Sequence, residues 1–197
     1  MRKPWIVFAF VAAGACGWFA RSASSEDAPA APACTPEQQA AMEALAQPGE
    51  MHTWLGSHVG TYDLDIKTMD AEGKPATAKA TATIAMVLGG RFQEQRLSGT
   101  FMGKPYEGYG LTGYDNAKKE FVNYWFDTMG TAPSVARGAR SADGKSLAMA
   151  GTWDMPTGPM PFKQVVEVTG EKTMTFKMTA TMGGAEMTMM EATYTRK

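Results

Sequence analysis

Two short stretches of the sequence carry the side chains best suited to chemistry. GGRFQEQR places Arg91, Glu94 and Arg96 within six positions, and FVNYWFD ends in Asp127, two residues after Trp125. An aspartate that shares a strand face with tryptophan is compatible with a ligand pocket that has few polar anchors. It is equally compatible with an aspartate that accepts N–H bonds in the following turn. Arg91 could bind an acidic group or cap loop carbonyls, and the structural role is favoured.

Alternation along residues 91–101 separates Glu94 and Arg96 from Leu97 and Phe101. Since Leu97 and Phe101 suit a core, we expect the Glu94–Arg96 pair to face solvent, where such a pair contributes little to stability. Along residues 121–127 aromatic side chains occupy both faces, so the period does not decide which face is inside.

No catalytic centre is predicted, and we expect neither enzymatic activity nor a cofactor. His52 and His58 are not in a metal-binding spacing such as HExxH, and the chain holds no GxSxG or phosphate loop. The two histidines could ligate haem or a metal, but packing at the corner between helix and first strand is favoured. The methionine cluster near the C-terminus suggests copper(I), although methionine also fills irregular cores. That cluster comprises Met182, Met187, Met189 and Met190.

The N-terminus is typical of an exported protein. Arg2 and Lys3 precede an apolar run over residues 4–15, so residues 1–20 are interpreted as a signal peptide or lipoprotein signal. Cys16 follows Ala-Gly-Ala and is a candidate for lipidation; soluble export and an uncleaved anchor are the alternatives. Residues 21–34 form an Ala/Ser/Pro-rich linker. We expect a periplasmic or cell-envelope protein that contacts a membrane only through its signal or lipid anchor.

The length of the chain limits the number of domains, and its net charge limits the classes of partner. A chain of 197 residues fits one domain plus a tail, here residues 35–197. The formal net charge of −1 gives no electrostatic reason to expect nucleic acid as a partner. The oligomeric state is left open.

The domain is predicted to begin with one helix. In TPEQQAAMEALAQPG, Thr35 suits the N-cap, Pro36 the first helical position and Gln38 the capping-box position. Pro48-Gly49 ends the helix, and a short helical turn through EMHTWLG follows.

From Val59 onward the apolar pattern has a period of two, which predicts strands. ATAKATATIAMVL, TMTFKMTATM and MTMMEATYT show it most clearly, and DAEGK, MGKP, YDNAKKE, SADGK, TGEK and MGGAE mark turns. About nine or ten antiparallel strands with short connections predict an all-β, up-and-down barrel in preference to a sandwich, with the N-terminal helix as plug or lid. Such a barrel has room for a small ligand.

The segment GGRFQEQRLSGTFMGKPYEGYGLTGYDNAKKEFVNYWFDTMGT closely resembles the core of the bacterial domain-of-unknown-function family fifteen-seventy-nine. HTWLGSHVGTYD resembles that family's opening and MMEATYTRK its ending. The resemblance covers residues 45–197 and implies a lipocalin-like barrel, but the family has no established activity to transfer.

We therefore expect an exported barrel that binds a small, largely apolar molecule. The predicted ligand-binding residues are Arg91, Tyr114, Trp125 and Asp127. The alternative is a non-catalytic structural or interaction protein of the cell envelope with a filled barrel, and haem or metal binding ranks below both.

Overall fold

The computed structural model describes residues 34–70 and 72–197, in which two helices precede ten strands. The helices are α1 (Pro36–Ala46) and α2 (Glu50–Gly56). The strands are β1 (Gly60–Met69), β2 (Pro75–Val87), β3 (Phe92–Phe101), β4 (Lys104–Asp115), β5 (Glu120–Asp127), β6 (Ser134–Arg140), β7 (Ser146–Met155), β8 (Gly158–Gly170), β9 (Thr173–Met182) and β10 (Ala185–Arg196). The predicted signal, Cys16 and residues 21–33 of the linker lie outside the described residues.

The start of α1 follows the predicted capping box. The Thr35 side chain accepts the Gln38 N–H at 3.2 Å, and the Gln38 side chain accepts the Thr35 N–H at 2.8 Å. These two bonds satisfy donors that the first turn of a helix leaves unpaired. None of the residues of α1 is buried, and α1 precedes the compact unit Pro48–Lys197. Within the described ranges, no helix combines the length and apolar character needed to span a bilayer.

The ten strands form a closed antiparallel barrel, as the period-two pattern predicts. Each strand pairs with its neighbours in sequence, and β1 pairs with β10 from Tyr62↔Arg196 to Thr68↔Met190. Closure leaves no edge strand exposed to pairing with another chain. The predicted turn segments coincide with connections between consecutive strands, and several of them extend into the strand ends.

The predicted faces are mostly confirmed. The inward-facing side chains include Ala80, Ala82 and Ile84 of β2, Met174 and Ala180 of β9, and Ala192 and Tyr194 of β10. Leu88 is the exception: as the last residue of ATAKATATIAMVL it continues the apolar face of Ala80, Ala82 and Ile84, but it lies in the β2–β3 turn with a φ of 51° and is 67% exposed. A turn that begins one residue early breaks the alternation that would otherwise have turned its side chain inward.

The buried side chains form two clusters. One is built around Tyr62 on β1, β2, β3, β9 and β10, and the other around Phe121 on β5 to β9 together with α2. Leu55 of α2 is 2% exposed within the second cluster. The Trp54 indole N–H donates to the Gly144 carbonyl at 2.8 Å, across the same end of the barrel. The short helix α2 therefore closes one end.

Tyr62 holds three elements together at this closed end. Its hydroxyl donates to the His58 carbonyl at 2.8 Å and accepts from Arg196 Nε and Nη2 at 3.0 and 2.8 Å. The Arg196 guanidinium also donates to the Ser57 carbonyl at 3.0 Å. The segment after α2, the start of β1 and the end of β10 are thus fixed by one buried hydroxyl, and barrel closure and helix docking depend on the same bonds.

Candidate functional site

The end of the barrel opposite α2 is accessible to water. Paired residues of antiparallel strands lie on the same face, so the pairs Gly108↔Asp127 and Gly110↔Trp125 continue the inward face of buried Phe121. We call this the open end and define it by six inward-facing, half-buried residues. They are Phe101, Tyr106, Trp125, Asp127, Ser134 and Trp153. Each of these side chains faces inward and still keeps surface that water can reach.

Trp125 lies flat against two glycines of the neighbouring strand. A Cβ at Gly108 would come within 2.3 Å of Trp125 Cζ2, and one at Gly110 within 2.8 Å of Trp125 Cε3. Real Cβ contacts are longer, so any larger residue at either position would displace the indole. The alternating glycines of YEGYG thus form a shelf, defined as Gly108 and Gly110, that receives the ring.

Asp127 is the polar centre of the open end. Its Oδ2 accepts the Trp125 Nε1–H at 3.0 Å and the Tyr106 hydroxyl at 3.1 Å. Its Oδ1 accepts the Met129 N–H at 2.8 Å. Burial and the Asp127 charge raise the pKa of Tyr106, so its hydroxyl keeps its proton and acts as a donor. One oxygen of Asp127 therefore accepts a bond from the following turn, as one alternative predicts, and the other oxygen accepts bonds from two side chains of the open end; the role of Asp127 in ligand binding stays a prediction.

A row of amide side chains lies deeper in the barrel. Gln95 Nε2 donates to the Tyr194 hydroxyl at 3.0 Å, Asn123 Nδ2 to Thr112 Oγ1 at 2.9 Å, and Gln164 Nε2 to Asn123 Oδ1 at 3.3 Å. Within residues 34–70 and 72–197, no buried side-chain nitrogen or oxygen lacks a hydrogen-bond partner. The interior is therefore polar along this row, and the amide groups of the row bond to one another and to neighbouring hydroxyl groups.

Two polar residues of the interior, Tyr106 and Gln164, were not among the residues predicted from the sequence. Tyr106 could have been found, because it precedes the two glycines on the same face, and small residues at alternate positions leave room for large side chains across the strand. Gln164 gave no such signal, since the alternation of its strand does not tell a buried amide from an exposed one.

The four predicted ligand-binding residues do not lie together. Trp125 and Asp127 meet at the open end, whereas Tyr114 and Arg91 lie at the closed end. The Tyr114 ring packs edge-on to Phe121 at 4.9 Å and to His52 at 6.0 Å. Arg91 Nη1 lies 3.4 Å from the Leu88 and Gly89 carbonyls of its own turn, the loop-capping position.

The histidines lie at the corner between helix and first strand. His52 is buried, and its Nδ1 accepts the Gly49 N–H at 3.0 Å. The His58 ring packs edge-on to Trp54 at 4.6 Å. Burial lowers the pKa of both histidines below the usual 6.5, helped by the positive charges of Arg91 and Arg196 respectively. Both rings are therefore neutral near pH 7 and are engaged in packing.

These lowered pKa values predict a loss of stability in mild acid. Below about pH 6.5 the unfolded chain takes up the histidine protons before the folded chain does, so the free energy of unfolding falls. Protonation of His52 would also remove the acceptor for the Gly49 N–H. We expect urea unfolding to show a fall from about pH 7.5 to about pH 5 that is smaller in His52→Gln, whose amide oxygen can still accept that N–H. An equal fall in both proteins would contradict this assignment.

The four C-terminal methionines are divided between different environments. Met182 and Met187 are 45% and 40% exposed. A register shift between Thr188 and Met190 turns Met189 toward the cluster around Phe121 and Met190 toward the cluster around Tyr62. Two of the four methionine side chains therefore lie at the surface, and the other two pack in separate parts of the core.

Glu94 and Arg96 of β3 face outward, as expected. Arg96 Nε lies 2.6 Å from Glu94 Oε1, and the Tyr109 hydroxyl donates to Glu94 Oε2 at 3.0 Å. This pair lies on the solvent side of β3, where it contributes little to stability.

A groove of about 800 Å³ also lies on the outside of the barrel, over β1, β2, β8, β9 and β10. Its charged lining side chains are three lysines and three carboxylates, and exposed pairs such as Lys79–Asp65 and Lys177–Glu191 neutralise one another. The Trp125–Asp127 cluster lies inside the barrel and contributes no residue to this groove, whose lining holds one aromatic residue, Phe176, and equal numbers of positive and negative side chains. We therefore place the candidate site at the open end.

A family model described as "Protein of unknown function (DUF1579)" matches residues 47–196. None of the curated proteins compared with the sequence matches it. The crystal structure of Rv2717c from M. tuberculosis is similar in fold, with a TM-score of 0.57 and 12% identity over 77% of this chain and 99% of that chain. The S-type phycobiliprotein lyase CPES from Guillardia theta has a TM-score of 0.55 and 9% identity over 75% and 92% of the two chains. At such identities the likeness extends to the fold alone.

Proposed function

The chain belongs to the DUF1579 family of proteins of unknown function, and we propose that its barrel binds one small molecule with a largely apolar body at the open end. The observation that carries this proposal is the set of inward-facing aromatic rings that keep accessible surface: Phe101, Tyr106, Trp125 and Trp153. Aromatic walls with a few convergent polar groups are typical of small-molecule sites. Barrels of about eight strands already hold one small ligand, and a ten-stranded barrel is wider.

The architecture supports binding from one side only. At the closed end, α2 seals the barrel with Leu55, and Phe121 beneath it is 1% exposed. At the open end the side chains are held in place without being covered: the Trp153 indole N–H donates to Ser134 Oγ at 2.7 Å, and the Trp153 ring stacks on Phe162 at 4.3 Å. Rings fixed by bonds to the barrel wall form a preorganised surface, which reduces the entropy cost of binding.

The proposed setting is outside the cytoplasm. The basic residues Arg2 and Lys3, the apolar run over residues 4–15 and Cys16 support export, with or without a lipid anchor. Such a location suits a protein that carries a poorly soluble molecule within the cell envelope.

The test is titration of the purified protein with the neutral fluorescent probe N-phenyl-1-naphthylamine. We expect saturable binding of one probe per chain, weakened about tenfold or more by Trp125→Ala, which corresponds to about 1.4 kcal/mol. The matched control is Tyr124→Ala, because Tyr124 is the preceding residue of β5 and points out of the barrel at 37% exposure. Any contribution of the N-terminal apolar run is the same in all three proteins.

Absence of saturable binding, or equal affinity of the two alanine variants, would overturn the proposal. The alternative would then be an interaction protein of the cell envelope. Its support is the outer face of β5, where Phe126 is 45% exposed and packs against Tyr109 at 6.2 Å, since exposed aromatic residues often mark protein contacts.

A further inference from the structure

Asp127 forms no ion pair with a lysine, arginine or histidine of the described residues. Ion pairs within residues 34–70 and 72–197 involve Asp63, Asp65, Glu94, Asp115 and other carboxylates, but none involves Asp127. Its three hydrogen bonds come from neutral donors: an indole, a phenol and a backbone N–H. The carboxylate is therefore held in place at a half-buried position by three neutral donors and by no ion pair within the described residues.

Only part of this arrangement is explained by the turn that follows. The bond from the Met129 N–H to Oδ1 supports the β5–β6 connection. Oδ2 contributes nothing to that turn; it is oriented by Trp125 Nε1 and the Tyr106 hydroxyl, two side chains that themselves line the open end. A carboxylate has about four lone-pair directions, about two on each oxygen. Oδ2 accepts two bonds and Oδ1 accepts one, so the direction left for a further donor is on Oδ1.

The surroundings of this free direction attract positive charge. Aromatic faces carry a negative quadrupole that favours a cation within about 6 Å. The Trp125 and Tyr106 rings lie beside Asp127, and the Phe101 ring lies 5.7 Å from that of Tyr106. A partly desolvated carboxylate gains more from a bound cation than an exposed one does. The carboxylate and its free acceptor direction thus favour a cationic donor, and the neighbouring rings offer apolar surface for the rest of that molecule.

We propose that the ligand of the open end is an amphiphilic amine, whose protonated nitrogen donates to the remaining lone pair of the Asp127 carboxylate, on Oδ1, while its apolar body lies against the aromatic rings. This inference rests on the proposed function and specifies the ligand class of the same site. An alcohol of the same shape would keep the apolar contacts and lose the charge, and a carboxylate would be repelled by Asp127.

The test uses three rigid probes of one size: 1-adamantanamine, 1-adamantanol and 1-adamantanecarboxylate. Each displaces N-phenyl-1-naphthylamine from the protein near neutral pH. We expect the amine to bind about tenfold or more tightly than the alcohol and the carboxylate to bind least. In Asp127→Asn the ratio of amine affinity to alcohol affinity should fall to about one, whatever the change in the affinity for the alcohol itself. In Tyr106→Phe, which removes one donor and keeps the charge, the preference for the amine should persist.

The outcomes separate this inference from the proposed function. If N-phenyl-1-naphthylamine binds but the amine and alcohol are equal in the unsubstituted protein, the amine inference is wrong and the binding function stands. If Asp127→Asn keeps the preference for the amine, the assignment to Asp127 is wrong. If N-phenyl-1-naphthylamine itself does not bind, both proposals fail.

Discussion

Replacing Phe121 by alanine is expected to lower the free energy of unfolding by about 3–5 kcal/mol, the usual cost of deleting a fully buried phenylalanine. Phe121 is 1% exposed and packs edge-on to Trp54 at 5.6 Å and to Tyr114 at 4.9 Å. The cavity would lie directly beneath α2, so the loss includes contacts that hold the helix on the barrel. Urea unfolding followed by circular dichroism measures the change.

The chain offers a matched control in the same strand. Phe126 lies five residues further along β5 on the opposite face, where it is 45% exposed. The same substitution there removes the same atoms from a position that water already reaches, so Phe126→Ala should cost about 1 kcal/mol or less. Equal losses for the two variants would mean that Phe121 does not occupy the core of the second cluster.

The second large effect is expected at the glycine shelf. In Gly108→Ala the new methyl group would meet Trp125 Cζ2 at 2.3 Å and Cη2 at 2.9 Å, so the indole must leave its position. Its Nε1 would then separate from Asp127 Oδ2 and the Tyr106 hydroxyl. We expect probe affinity to fall about tenfold or more, with a loss of unfolding free energy of about 1–3 kcal/mol from overpacking.

Gly130→Ala is the control for this substitution. A Cβ at Gly130 would meet no atom within 4 Å, although the residue lies only three positions after Asp127. Tryptophan fluorescence and probe titration should match the unsubstituted protein in Gly130→Ala and change together in Gly108→Ala. Unchanged fluorescence and affinity in Gly108→Ala would show that the indole does not rest on the shelf.

The two substitutions act at opposite ends of one barrel. Phe121 belongs to the closed end, where side chains are buried beneath a helix and contribute to stability. Gly108 belongs to the open end, where a tryptophan is positioned by hydrogen bonds and by the absence of a side chain opposite. A loss concentrated in stability for Phe121→Ala and in binding for Gly108→Ala is therefore the expected contrast.

Most of the fold could be predicted from local patterns in the sequence. The capping box at Thr35 and the alternation in β2, β9 and β10 each depend on neighbours within a few residues, so they can be recognised without tertiary information. Leu88 was misassigned for the same reason, because one residue at a strand end can belong to the strand or to its turn.

The residues of the candidate site could not be predicted from the local pattern, because that pattern does not show which strand face is inside. Val122, Tyr124 and Phe126 alternate with Phe121, Asn123 and Trp125, so both faces of β5 look apolar. The inward face was decided by its neighbours: Gly108 and Gly110 of β4 make room for Trp125, whereas Tyr109 packs against Phe126 outside. Arg91 and Tyr114 were grouped with Asp127 by residue type, and the antiparallel register places them at the other end of the barrel.

By itself, the sequence determined the family resemblance, the all-β class, the number of strands within one and the turns, because each is encoded by residues close together in the chain. Tertiary structure alone decided which end of the barrel is open, that α2 closes the other end, and that Tyr106, Trp125 and Asp127 meet. These depend on pairing register and barrel closure, and a contact between residues about twenty positions apart, such as Tyr106 with Asp127, exists only once the strands between them have paired.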